Sequence, residues 1–158
     1  MVEQRRKPRP LLPRGERVLI SAHDSTRNRQ VVATRCAVYH QGDPRELEPW
    51  HRLGWDQIDR ADWDAGRGEL TFVRTTASLV VRLTGEHRFV ELARERIAAT
   101  TLLHVRLHRF GRPAGWLTAR RRADGRGDVH WTLCSDGVRW TADEVAQAIR
   151  KARVQAGL

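Results

Sequence analysis

The sequence predicts an α+β fold: a run of strands closed by an amphipathic helix, then a shorter run in the same order. Three observations carry this. The stretch Trp55–Val73 reads as two extended segments around a tight turn, Asp64-Ala65-Gly66-Arg67-Gly68, with Leu70 and Phe72 alternating with Thr71. An apolar stripe of helical spacing, Phe89, Val90, Ala93 and Ile97, follows it. A second hairpin pattern and a second helical stripe complete the chain. Strand runs followed by a helix argue for α+β architecture or for a barrel with a capping helix. At 158 residues the chain suits one domain with an appendage, and it can bury a real core.

Taken in order, residues 1–14 read as a disordered basic arm. Pro8, Pro10 and Pro13 block regular structure, and Arg5, Arg6, Lys7, Arg9 and Arg14 repel one another. Arg17–His23 is a strand with Val18, Ile20 and Ala22 on one face, and Asp24–Asn28 is a polar turn. Gln30–His40 reads as one second strand, with Val32, Thr34, Cys36, Val38 and His40 sharing a face. Gly42-Asp43-Pro44 breaks the loop 41–49, and residues 50–55 lead into the hairpin. Leu79, Val81 and Leu83 form the inward face of the next strand.

Thr84 is placed to cap a helix from about Glu86 to Ala98. Two or three more strands follow. One alternates Leu103, Val105 and Leu107 with His104, Arg106 and His108; the others, 115–122 and 128–134, flank an Asp124-Gly125 turn. Thr141 and Glu144 form a capping box, opening a last helix with the stripe Val145, Ala148, Ile149, Ala152.

The formal charge is +10 and the sequence pI is about 11.3, which favours anionic partners. Only Lys7 and Lys151 among the 29 basic residues are lysine, an arginine bias that a GC-rich coding sequence also produces. The charge is uneven. Residues 1–40 carry nine basic and three acidic side chains, a net +6. Residues 41–69 carry four and eight, a net −4, and residues 101–139 carry eight and three, a net +5. No apolar run approaches the roughly 20 residues of a membrane span, and the N-terminal residues lack a signal peptide's apolar region. A cytoplasmic location is therefore expected. Two cysteines, Cys36 and Cys134, are too few for a disulfide framework and are expected as free, buried thiols.

No phosphate-loop, dinucleotide-binding or nucleophile-elbow motif is present. Cys36 and His40 pair on paper but have too few companions for a zinc site, so no metal and no cofactor are expected. Asp56, Asp59, Asp62 and Asp64 read as a solvated acidic stretch. Trp50, Trp55 and Trp63 are expected in the core or at its rim, and Trp116 and Trp131 in the core. The candidate binding surface is basic. Arg120, Arg121, Arg122 and Arg126 cluster around one turn, while His104, Arg106 and His108 would form a positive ridge.

The pattern P-W-x-x-x-x-W-D-x-I-x-x-A-x-W-D at Pro49–Asp64, with G-E-L-T-F-V at Gly68–Val73, one further strand and one helix, resembles the pleckstrin-homology-like domains of bacterial, especially actinobacterial, proteins. The resemblance covers residues 15–100. It implies a small, nearly closed β-barrel capped by one helix, with 101–158 as a C-terminal β-β-α extension packed on it. Relatives of that type bind lipid headgroups, peptides or proteins. The early turn here has Arg27 and Arg29 but no lysine-rich loop, a departure from the phosphoinositide-binding pattern. The resulting expectation is a non-enzymatic interaction module for a protein or an anionic partner such as a membrane surface. The alternative is a nucleic-acid- or ribosome-associated basic protein.

Overall fold

The computed structural model describes residues 9–43 and 45–158. Most of the expected N-terminal arm (residues 1–8) and Pro44 of the expected breaker lie outside the described residues. Among those described, the order is β1 (Val18–Asp24), β2 (Arg29–Thr34), β3 (Ala37–Gln41), β4 (Trp50–Gly54), β5 (Arg60–Asp64), β6 (Glu69–Val73) and β7 (Ser78–Arg82). Then come α1 (His87–Thr100), β8 (Thr101–Arg109), β9 (Arg112–Arg120), β10 (His130–Ser135) and α2 (Ala142–Ala156).

These strands form three antiparallel meanders, β1-β2-β3-β4, β5-β6-β7 and β8-β9-β10. The expected helix-capped barrel is therefore corrected. Among the described residues the fold is mostly β, in three sheets with two helices, and no barrel closes. The first two sheets share one core with α1, but a single bridge, Asp24 to Leu83, joins them at one edge. At the other edge no ladder links β4 to β5. A 3-10 turn, Trp55–Gln57, carries the chain from one sheet to the other instead. Two bonds fix that crossing. The fully buried Trp55 indole donates to the Thr34 carbonyl (3.0 Å), and the Gln57 side chain accepts from the Gly54 amide (3.1 Å).

The expected single strand 30–40 is a hairpin. The Thr34 hydroxyl accepts from the Cys36 and Ala37 amides (3.2 and 3.1 Å), a side-chain turn that needs neither Gly nor Pro. Cys36 and His40 thus sit on a turn and on β3, not on one face. Burial, then the stacked His51 ring 5.1 Å away, lowers the His40 pKa to about 4, which leaves the ring neutral. Neither cysteine is buried: Cys36 is half-buried and Cys134 exposed. The four aspartates have separate local roles. Asp56 is buried 3.6 Å from His130, Asp59 accepts from Thr75, Asp62 pairs with Arg60, and Asp64 caps its turn through the Gly66 and Arg67 amides.

The helix α1 starts at His87, and Thr84 does not cap it; Glu86 holds the cap position without a side-chain bond. Its stripe behaves as its periodicity predicts: Phe89, Val90, Ala93 and Ile97 are all buried against the two sheets. Ile97 lies near the end of the helix, at the core's edge. Ile97→Ala should cost about 2 kcal/mol, the low end for a buried aliphatic, as read by denaturant titration. A change below about 0.5 kcal/mol would show that the site is not packed.

The C-terminal part is β-β-β-α rather than β-β-α. Its capping box forms, with the Glu144 amide donating to the Thr141 hydroxyl (3.2 Å) and the Thr141 amide donating to the Glu144 carboxylate (2.9 Å). Gly157 ends the helix in the left-handed region, φ 67°. On this sheet Trp116 and Trp131 are half-buried. Near the N-terminus, Leu12 packs with Val32, Ala37, Tyr39 and Trp50 on the outer face of the first sheet. No helix among the described residues is long and apolar enough to cross a membrane.

Candidate anion-binding site

Three separated stretches of chain bring arginines to one cleft. The first is the start of the described chain, where the Glu16 amide donates to the Pro13 carbonyl (3.0 Å) and turns Arg14 outward. The second is the first sheet. Arg35 stands on the Thr34 turn, and Arg52 on β4 lies opposite Tyr39 of β3. The third is the loop after β9. There the Arg121 amide donates to the Thr100 carbonyl (2.9 Å), and the Gly125 amide donates to the Arg122 carbonyl (2.9 Å). Asp124 then holds the tip by accepting from Arg122 Nη2 and from the Arg126 amide, both at 2.9 Å.

Between these walls lies a cleft of about 470 Å³, lined by Arg14, Arg35, Arg52, Arg122 and Arg126 with Glu16, Cys36 and Asp124. The two carboxylates are already occupied. Glu16 accepts from the Thr34 hydroxyl and from the Tyr39 hydroxyl (3.0 Å), and Asp124 from Arg122 and the loop backbone. The Arg126 amide, with the Arg122 charge, lowers the Asp124 pKa, so it stays ionised at neutral pH. Burial, then Glu16 and Asp124, raises the Cys36 pKa, which keeps the thiol protonated and unreactive. Arg14, Arg35, Arg52 and Arg126 form no ion pair among the described residues.

The expected site residues divide. Arg122 and Arg126 line the cleft. Arg121 is half-buried, and its Nε has no partner. Arg120 is corrected: it is only 6% exposed and serves as an internal clip, not as a surface residue. Its guanidinium donates to the carbonyls of Ile97 (3.0 Å) and Asp59 (2.6 Å) and to the hydroxyls of Thr101 (2.8 Å) and Thr100 (3.3 Å). That places a cation at the C-terminal end of α1, where the helix dipole favours it.

The ridge on β8 does not join the cleft. His104 stacks on Trp116 at 4.4 Å and bonds the Thr118 hydroxyl (2.8 Å). Arg106 lies over the same ring at 4.6 Å and pairs with Asp136 (2.6 Å), so Trp116 is already partnered. His108 borders a different groove, between β8 and α2. Arg27 is likewise committed, to Asp24 (3.1 Å) and the Val80 carbonyl (2.7 Å). The recess it shares with Arg29 also holds Asp24, Asp43 and Glu46, a mixed set with no preference for anions.

Sequence reasoning set Arg14 in a disordered basic arm and missed Arg35 and Arg52. Pro13-Arg14-Gly15 is a turn signal that was there to be read, whereas only strand pairing brings Arg35 and Arg52 together. In comparisons with protein-family models, curated proteins and solved structures, the chain matched none.

Proposed function

We propose that this protein is a binding module for a polyanion, held in the arginine cleft. One observation carries the reading: five guanidinium groups from three stretches of chain line a single cleft whose two carboxylates are already engaged. A guanidinium presents fixed donors that match phosphate or carboxylate oxygens two at a time, and it stays charged at any working pH. Such a lining binds anions and transfers no protons, which favours a binding role over catalysis.

The test is a salt series with inorganic polyphosphate as the probe. The logarithm of affinity should fall linearly with the logarithm of salt concentration, and the triple variant R35Q/R52Q/R126Q should flatten that slope by up to about 3. All three side chains are exposed, so stability should stay within about 0.5 kcal/mol. No binding by the wild type, or an unchanged slope in the variant, would retire the cleft.

A further inference from the structure

A second recess opens beside the arginine cleft and shares Pro13 and Arg52 with it. It measures about 380 Å³, and its lining is mainly apolar: Leu11, Leu47, Trp50 and three prolines, with Tyr39 at its base. Leu11 and Leu47 are almost fully exposed, at 98% and 104%. Two unshielded leucines next to five arginines call for a ligand that is anionic on one side and flat and apolar on the other.

Resting on the polyanion reading, we propose that the two recesses form one site for single-stranded nucleic acid. Phosphates lie among the arginines, and a base lies against Leu11, Leu47 and the half-buried Trp50. Arg52 stands at the junction, where one nucleotide would pass from phosphate to base. Three points favour this ligand. A nucleotide carries its charge and its apolar face side by side, the spacing that two adjoining recesses require. Arginine with an aromatic or apolar platform is the combination that holds unpaired strands, because every base has a face to stack. The arginines also reach the cleft from different parts of the fold: Arg14, Arg35 and Arg52 from the N-terminal turn and the first sheet, Arg122 and Arg126 from the loop after β9. A narrow strand enters such a cleft, whereas a flat bilayer surface does not. A duplex keeps its bases stacked inside, so the strand must be single. Glu48 lines the second recess, disfavours another phosphate there, and can accept from a base amino group.

Binding to the full chain is read by fluorescence anisotropy with a labelled single strand of about 12 nucleotides. It is compared with an abasic strand of the same length and charge, with inorganic polyphosphate, and with phosphatidylserine–phosphatidylcholine vesicles. The base-bearing strand should bind roughly tenfold or more tighter than the abasic one. L11S/L47S should erase that preference and leave polyphosphate affinity unchanged; both leucines are exposed, so folding is not at risk. Equal affinity for the base-bearing and abasic strands would overturn the base seat while leaving the polyanion reading intact. Vesicle binding that L11S/L47S abolishes, with no strand binding, would overturn it in favour of a membrane. Failure of polyphosphate itself to bind would remove the reading beneath it.

Discussion

Trp55→Ala should cost about 3–5 kcal/mol and leave little folded protein at physiological temperature. The indole is fully buried between the two N-terminal sheets, its ring 6.2 Å from Phe72, and its N–H holds the Thr34 carbonyl. Truncation opens a large cavity and leaves that buried carbonyl without its donor, so two penalties add. Trp55→Phe separates them, because it retains most of the volume and loses only the hydrogen bond. A loss of about 1–2 kcal/mol is expected for that variant. Calorimetry or denaturant titration reads both. If the alanine variant melted within a few degrees of the wild type, Trp55 could not be what holds the sheets together.

Arg120→Met should lose about 3 kcal/mol, far more than substitutions of its exposed neighbours Arg122 and Arg126. Hydrogen bonds from a charged donor are worth about 1.5–3 kcal/mol each. Here the guanidinium reaches four acceptors, with the Asp59 carbonyl and the end of α1 among them. Two effects offset part of that gain. Burial opposes the charge, depressing the pKa of the group, and its Nε has no partner. Methionine keeps the volume and removes the burial cost, but strands the carbonyls. The readout is the urea midpoint at constant m-value. A shift equivalent to less than about 0.5 kcal/mol would place Arg120 with the surface arginines after all.

What the chain made legible was local and periodic. The α1 stripe, the Thr141–Glu144 box and the hairpin spanning β5 and β6 are each written within a few consecutive residues. The Thr34 turn was not legible, because strand alternation runs unbroken through residues 30–40 and the turn depends on one hydroxyl. Strand alternation also runs on through Arg121 and Arg122 in the expected strand 115–122. β9 ends at Arg120, so that rule stops applying just where it was used. The separation into sheets depends on Trp55 docking across the core, a contact 21 residues from Thr34 in sequence. The cleft is hidden for the same reason. Arg35 and Arg52 meet only through the β3–β4 register, and Arg122 and Arg126 arrive from a third sheet.

The two walls of the cleft therefore belong to different sheets, and Arg120 ties the third sheet to the end of α1 and to the chain just before β5. A ligand that grips both walls acts as a reversible crosslink between them. By mass action its binding free energy adds to the docking of the third sheet, about 2.7 kcal/mol at a hundredfold excess over Kd. The concentration of such a ligand would then set how tightly the C-terminal third of the chain is held, and a change made at Arg120 would be felt as affinity at a site it never touches.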